Sequence, residues 1–324
     1  MRIRRQDTDD SESELSRREL EEGRLPLAAQ RRLHELAASE QSLFTSDLTV
    51  NEFALLHREG IVPITQVMGS SIFQHAWQTL PMHTWYGYGG NVPSGGAHEL
   101  KYLSDAFNQA RERALSRLRQ EAELAGAEAV LGVHLNTGGH EFAGRDVVEF
   151  TAVGTAVRLP ENLKDAQVLM SDLSGQDYVK LAQAGYRPVG VVGHSTVMYV
   201  ASSWEQNRVL SSGNNLFSAA GRANQELPDF TRGFYDAREV AIGNLSRQAK
   251  ELGADGVVGV TIGQHINERE YEDAASNQHH DLIVYIHLLG TAIRDGHAPL
   301  QRPDPTTIMP LSAASPRTSR QDTR

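Results

Sequence analysis

The sequence contains no cysteine, and its 324 residues include only four lysines, at positions 101, 164, 180 and 250. Without cysteine, the chain can form neither disulfides nor thiolate metal or redox sites. Acidic residues outnumber basic ones by 41 to 31, which gives a formal charge of −10. This charge argues against a nucleic-acid-binding protein, because such affinity depends largely on neutralising phosphates.

Long apolar runs are also missing. No stretch approaches the roughly 18 consecutive apolar residues of a membrane span. The first ten residues, MRIRRQDTDD, contain no apolar segment of the kind found in secretory signals. We therefore expect a cytoplasmic protein without a membrane span.

A tandem repeat is the strongest positive signal in the chain. Four blocks recur in the same order, and a recurrence of this kind must be recognised before a fold is assigned. SDLTVNEFALLHREG (46–60) matches SDLSGQDYVKLAQAG (171–185), GIVPITQVMGSSIF (60–73) matches GYRPVGVVGHSTVM (185–198), AGAEAVLGV (125–133) matches LGADGVVGV (252–260), and GTAVR (154–158) matches GTAIR (290–294). A feature present in both halves then indicates architecture, whereas a feature in one half indicates specialisation.

Each repeat reads as a short helix followed by strand, long helix, strand and strand. Thr49 and Ser174 precede acidic residues at the spacing of helix N-caps. The long helices, at about 100–125 and 227–252, place apolar residues at steps of three and four. The predicted fold class is α+β, with two small antiparallel sheets that each carry one long helix. Such a thin sheet leaves one face and two edges unsatisfied, so each unit should pair with its twin or with other subunits.

The predicted organisation has five parts. Residues 1–45 form a charged, partly helical arm, and a leucine stripe at 27, 33 and 36 suits either docking or a frayed helix in solvent. Repeat 1 covers 46–160, a linker covers 161–170, repeat 2 covers 171–294, and a disordered tail covers 295–324.

The repeated motifs resemble those of the YbjQ-like family, which are small bacterial proteins labelled as heavy-metal-binding domains. The residues that carry the resemblance are Ala110-Arg111-Glu112, Gly126-Ala127, Val130–Val133 and Gly154–Val157 in the first half, and Ala237-Arg238-Glu239, Gly253-Ala254-Asp255, Val257–Val260 and Gly290–Ile293 in the second. The resemblance implies a dodecin-like β-α-β-β fold and ring-shaped homo-oligomers, which are pentamers in the known cases. It implies no catalytic residues.

Histidines and acids in the hairpins are the candidate ligands for a divalent metal, which is the one cofactor that the sequence suggests. His265, His279 and His280 belong to the second hairpin, and His140 and Glu141 to the first. A turn brings its two ends together, so His265 and His279 could converge. The alternative, a solvated polar loop, is favoured because no pair has helical i, i+4 spacing.

A second candidate site follows the first strand of each repeat. Glycines and hydroxyls there could cradle an anion through backbone N–H groups, or they could mark a strand end that turns sharply, which we favour. The residues are Gly69, Ser70, Ser71, Gly193, His194 and Ser195. Serine chemistry by Ser195 is disfavoured, because neighbouring residues point to opposite sides of a strand and no acid partner is identifiable.

Aromatic residues cluster in the glycine-rich insert at 77–97, at Trp77, Trp85, Tyr86 and Tyr88. This density favours a contact surface for a protein partner. The alternatives are cover for an open sheet face and a small-molecule site.

Arg111 and Arg238 occupy the same position in the two repeats, each followed by glutamate. We interpret both as architectural, in ion pairs within or between repeats, rather than as pore-lining or anion-binding groups. These features together favour a non-enzymatic homo-oligomeric scaffold or binding module. The alternative is a metal-handling protein that uses the hairpin clusters.

Overall fold

The computed structural model describes residues 3–38, 43–74, 95–142, 145–160, 167–212, 224–272 and 278–296. Its helices are α1 (Ile3–Glu21), α2 (Leu27–Ala38), α3 (Val50–Arg58), α4 (Lys101–Leu124), α5 (Gly175–Gln183), α6 (Trp204–Ser212) and α7 (Pro228–Glu251). Its strands are β1 (Val62–Gln74), β2 (Ala97–Glu99), β3 (Ala129–Phe142), β4 (Arg145–Arg158), β5 (Leu169–Met170), β6 (Tyr186–Val200), β7 (Gly256–Glu272) and β8 (Gln278–Asp295).

Two sheets of the same design account for the two repeats. The strand order is β1-β4-β3-β5 in sheet 1 and β2-β6-β8-β7 in sheet 2. In each repeat the last strand lies between the other two and pairs antiparallel with both. The predicted α+β class, with two small antiparallel sheets and one long helix each, is confirmed.

The short helices begin and end where the sequence predicts. Thr49 accepts a hydrogen bond from the Glu52 N–H, and Glu52 reaches back to the Thr49 backbone, which completes a capping box. Ser174 accepts from the Asp177 N–H in the same way. Gly60 follows α3 with a φ of 76°, a left-handed conformation that other residues adopt only at a cost.

The long helices bury their alanine stripes. Ala110, Ala114 and Leu118 of α4 are fully buried against sheet 1. Ala237, Ala241 and Leu245 of α7 take the same positions against sheet 2. The small side chains let each helix approach its sheet closely, as the repeated three-and-four spacing indicates.

Each sheet also carries a short fourth strand that the sequence did not reveal, and each of the two comes from outside the repeat whose sheet it joins. β5, from the segment expected to be a linker, pairs in parallel with β3 of repeat 1. β2, from the insert of repeat 1, pairs with β6 of repeat 2. The sheet edges that were predicted to be unsatisfied are therefore partly covered by β5 and β2.

The repeats stack so that α4 lies between the two sheets. The Phe107 ring of α4 lies 6.0 Å from Phe150 in sheet 1 and 5.6 Å from Tyr285 in sheet 2. Layers therefore follow in the order sheet 1, α4, sheet 2, α7. As a result, sheet 2 is covered on both faces, whereas the outer face of β1 in sheet 1 is exposed.

Helix α2 docks on repeat 1. Leu33 is fully buried with Leu25 and Ala125, and Leu36 packs against the same cluster. Arg32 Nη2 lies 3.1 Å from Glu121 Oε1 on α4. The leucine stripe therefore covers the C-terminal end of α4. The tail was expected to cover 295–324, but β8 includes Asp295, and residues 297–324 lie outside the described residues.

Candidate functional site

The β7–β8 hairpin brings one imidazole and two carboxylates together. His280 Nδ1 lies 3.0 Å from Glu268 Oε1 and 3.9 Å from Glu270 Oε1. One ligand atom from each of the three residues lies within 4.8 Å of the other two. The glutamates are exposed and His280 is half-buried, with its backbone N–H donating to Asn207 Oδ1 at 3.1 Å. Nitrogen and carboxylate oxygens in this arrangement are a ligand set for a divalent ion such as Zn²⁺.

Strand register explains which of the candidate residues meet. Glu268 and Glu270 are two residues apart and share a face, and His280 lies directly opposite Glu270. His265 instead lies opposite Tyr285, and His279 lies opposite Tyr271. The expected convergence of His265 with His279 does not occur, because β7 and β8 continue as strands well beyond the predicted turn.

The thinner set of candidate ligands lies in the first hairpin, in the other sheet. His140 and Glu141 lie on β3, opposite Val147 and Asp146 on β4. The side chains of His140 and Glu141 lie outside the described part of the structure, so a metal site there stays a prediction.

The predicted anion loop is a strand in both repeats. Gly69, Ser70 and Ser71 lie within β1, and Gly193, His194 and Ser195 lie within β6. Gly69 serves close packing rather than a turn, since a Cβ there would lie 2.0 Å from Ala114 O of α4. Neither a cradle nor a sharp turn forms at these positions, which corrects both interpretations of the sequence.

At the joint between the repeats, polar side chains of α4 bind the edge of β6. The Asn108 side chain of α4 accepts a hydrogen bond from the Ser195 N–H at 2.9 Å and donates one to Ser195 O at 2.9 Å. Ser104 Oγ accepts from the Val197 N–H at 2.9 Å. The N-terminal half of α4 therefore pairs with the edge of β6 much as another strand would.

Arg111 lies at this joint and is only 3% exposed. Its Nη1 donates to Asn108 Oδ1 at 2.5 Å, and its Nη2 lies 3.8 Å from the carboxylate of Glu112. Burial lowers the pKa of Arg111 to about 10. Arg238, the equivalent residue in repeat 2, is exposed on α7. The two arginines thus have different surroundings although their sequences match.

Two histidines beside Arg111 are kept neutral. Burial, followed by the charge of Arg111, lowers the pKa of His287 to about 4. The same two causes lower the pKa of His194 to about 4. His287 Nδ1 lies 2.9 Å from Ser195 Oγ, and the Phe107 ring lies 5.2 Å from the imidazole. His287 is not among the residues predicted from the sequence, where its one signal is a histidine inside an otherwise apolar strand.

The Ser195–His287 pair is poorly suited to nucleophilic catalysis. Ser195 is 1% exposed, so a substrate cannot reach its Oγ. A base with a pKa of about 4 next to a buried guanidinium is weak, whereas a general base works best with a pKa near the operating pH. The pair instead fastens β6 to β8 beneath α4.

The aromatic residues Trp77, Trp85, Tyr86 and Tyr88 lie outside the described residues. Of the insert at 77–97, the structure describes only the last three positions, and Ala97 begins β2. A partner surface in this insert stays a prediction. Among the described residues, no helix combines the length and apolar character needed to cross a membrane.

The two stacked β-α-β-β units, joined by the short strands β2 and β5, define a tandem α+β protein built from one duplicated module. The family model described as "Putative heavy-metal-binding" matches residues 91–160 and 191–295. The chain therefore belongs to the YbjQ family, as the sequence motifs indicated.

Named relatives agree with this assignment. An encapsulin nanocompartment protein of Mycobacterium tuberculosis is 36% identical over 240 residues, which cover 72% of this chain and 81% of the relative. A UPF0145 protein of Natronomonas pharaonis is 46% identical over 69 residues, covering 21% of this chain and 61% of the relative. A UPF0145 protein of Lacticaseibacillus casei is 40% identical over 60 residues, covering 18% and 53%. No solved structure matches the chain.

Proposed function

We propose that this protein is a non-enzymatic homo-oligomeric scaffold or binding module that acts in the cytoplasm. One observation carries the proposal: surfaces that are buried at the joint between repeats 1 and 2 are exposed at the equivalent positions on the outer sides of the stack. Ile72 on β1 is 67% exposed, whereas Val197, its counterpart on β6, is 0% exposed. Such apolar exposure on an outer strand is typical of interaction surfaces.

The relative named as an encapsulin nanocompartment protein supports the same conclusion. The name of that relative connects it with a protein assembly, and the sequence similarity extends over most of both chains. Ser195 is buried against His287, and the family implies no catalytic residues. Both points are consistent with a structural role.

A closed ring of this chain would contain an even number of repeats, because every copy brings two. The resemblance to single-domain relatives implied pentamers, and five repeats cannot be supplied by whole chains. Interfaces that join head to tail give rings when the rotation closes. We therefore expect a ring with an even number of repeats, and not a ring of five repeats.

Native mass spectrometry of the full chain, purified without a tag or added metal, tests the proposal. We expect one closed species whose mass is an integral multiple of 35.6 kDa. A single chain at micromolar concentration would contradict the proposal, since its exposed apolar faces would then have no partner.

The second candidate function is metal binding by the group formed by Glu268, Glu270 and His280. Its geometry favours this function, and the description of the family supports it. We expect one Zn²⁺ per chain in isothermal titration calorimetry, with binding weakened at least tenfold by His280→Ala, because the imidazole is the least exposed of the three ligands.

The matched control is His279→Ala, which removes the neighbouring imidazole on the opposite face of β8. This variant should keep the stoichiometry and affinity of the parent protein. Equal affinity in the parent and in His280→Ala would count against a site at this group.

A further inference from the structure

We propose that copies of this chain join head to tail through a joint that repeats the internal one. Residues 44–48 of one copy extend sheet 2 of the preceding copy at β7, and α7 of that preceding copy covers the outer face of β1. This inference rests on the proposed homo-oligomer and assigns its interface. Both halves of the joint are present on every chain, one at each end of the stack.

The internal joint provides the template for the strand contact. Ser171, which directly follows β5, donates its N–H to Val130 O at 2.9 Å and accepts from the Val133 N–H at 2.9 Å. The Gly132 N–H donates to Leu173 O at 3.0 Å. The segment that leads into repeat 2 is thus held along the edge of β3 in repeat 1.

Among the residues that the structure describes, no strand pairs with the equivalent edge of β7 in repeat 2. The repeat places Val257 and Val260 at the positions of Val130 and Val133. Val133 is 1% exposed and Val260 is 41% exposed. Gly132 and Gly259 have φ values of 66° and 68°, so both strands have the same local conformation at the point where the incoming segment binds. β7 therefore already has the backbone shape that β3 uses.

The incoming segment is also prepared in the same way in both repeats. The Asp172 N–H donates to Thr291 Oγ1 at 2.9 Å, and the Thr291 hydroxyl donates back to Asp172. In repeat 1, the Asp47 N–H donates to Thr155 Oγ1 at 3.3 Å, and the Thr155 hydroxyl donates back to Asp47. Each segment is thus anchored on its own sheet, and Ser46 precedes Asp47 as Ser171 precedes Asp172.

Helix α7 presents the counterpart of the surface that α4 uses. Ser104 and Asn108 of α4 bind the edge of β6, and the repeat places Thr231 and Tyr235 at their positions. Thr231 also carries a hydroxyl that can accept a backbone N–H. Tyr235 lies on the outer face of α7 and is 67% exposed. On β1, the counterpart of the β6 edge is the exposed stretch around Ile72.

Charge favours a second copy as the occupant. Arg238 lies on α7 where Arg111 lies on α4, so the proposed joint would bring it over sheet 1 of the next copy. There, Thr151 and Glu149 stand at the positions of His287 and Tyr285. The charge of Arg238 would therefore meet the carboxylate of Glu149 in the facing sheet, whereas the facing sheet at Arg111 presents the neutral imidazole of His287. The joint between copies is electrostatically complementary in a way that the internal joint is not.

Engineered cysteines test the strand contact without interference, because the chain has no native cysteine. Val130 pairs with Met170 at the internal joint, and the repeat places Val257 and Thr45 at these positions. We expect Thr45→Cys combined with Val257→Cys to form covalent multimers on oxidation, whereas each single variant remains a single chain in denaturing gels. Val130→Cys combined with Met170→Cys is the matched control, which should form its disulfide within one chain.

Ile72→Asp tests the helix contact by a different readout. We expect it to shift the native mass from the oligomer to 35.6 kDa, while Leu15→Asp, at an exposed apolar residue of α1 outside the joint, keeps the parent mass.

These experiments distinguish a failure of the proposed joint from a failure of the proposed scaffold function. An oligomer that Ile72→Asp leaves intact, or whose cysteine pair stays reduced while the control pair oxidises, would overturn this joint and leave the proposed scaffold standing. A parent protein that is a single chain would overturn both.

Discussion

Replacing Gly69 by alanine is expected to destabilise the protein by about 3 kcal/mol or more, the upper range for overpacking a core. Gly69 lies in β1 directly beneath α4. An added Cβ would lie 2.0 Å from Ala114 O and 2.4 Å from Leu118 N. Both atoms belong to the main chain of the helix, so no side-chain rotation can relieve the overlap. Urea unfolding followed by circular dichroism, at one fixed chain concentration, measures the change in the free energy of unfolding.

Gly243→Ala is the matched control for this prediction. Gly243 is exposed on α7, and a Cβ there would meet nothing within 4 Å. Because glycine is unfavourable inside a helix, this change should stabilise the protein by about 0.5–1 kcal/mol. If both variants unfolded at the same denaturant concentration, this result would contradict the close approach of α4 to β1.

The second large effect is a loss of stability as the pH falls below neutrality, caused mainly by His287. Its pKa is about 4 in the folded protein and 6.5 when unperturbed, because burial and then Arg111 disfavour the charged imidazole. His194 adds to the effect in the same direction. His265 faces His287 as well and also lowers its pKa.

The direction of this change in stability with pH follows from proton uptake. Between pH 6.5 and about 4 the unfolded chain binds a proton at His287 that the folded protein does not bind, so the stability is fully present above pH 6.5 and is lost as the pH falls. Across the whole window the loss from His287 is about 3 kcal/mol. Asp172 acts in the opposite direction below pH 6, because burial raises the pKa of its carboxyl to about 6.

The measurement is therefore best made between pH 7.5 and 6, where we expect the free energy of unfolding to fall by about 0.8 kcal/mol per buried histidine. His287→Gln should reduce this slope, whatever its effect on stability at pH 7.5. His34→Gln, at an exposed histidine of α2, should leave the slope unchanged. An identical slope in all three proteins would show that His287 is not buried in its neutral form.

Much of the architecture could be predicted because it depends on local sequence patterns. The alanine stripes of α4 and α7 follow the helical period, and the capping residues at Thr49 and Ser174 act over three residues. The antiparallel order of the sheet follows from a helical crossover and a hairpin. These features need no knowledge of what packs against what.

The predicted sites were less accurate because each depended on where a strand ends. β1 and β7 continue for several residues beyond the predicted ends, since each stays paired with its neighbouring strand, β4 or β8, up to its last residue. As a result, Gly69 and Ser70 lie in a strand, and His265 is carried away from His279 along the hairpin. Only His280, among the second-hairpin histidines, meets the carboxylates of Glu268 and Glu270.

The sequence by itself determined that the chain is a duplication, which class of fold each half adopts, and that neither half can be complete alone. A repeat can be read from identity at fixed spacing, and a thin sheet can be recognised from the number of its elements. Only the tertiary structure decided that α4 lies between the two sheets, that sheet 1 gains a strand from the linker and sheet 2 gains one from repeat 1, and that Arg111 is buried while Arg238 is exposed. Equivalent residues acquire different surroundings because α4 lies at the joint between the two repeats, whereas α7 lies on the outer side of sheet 2.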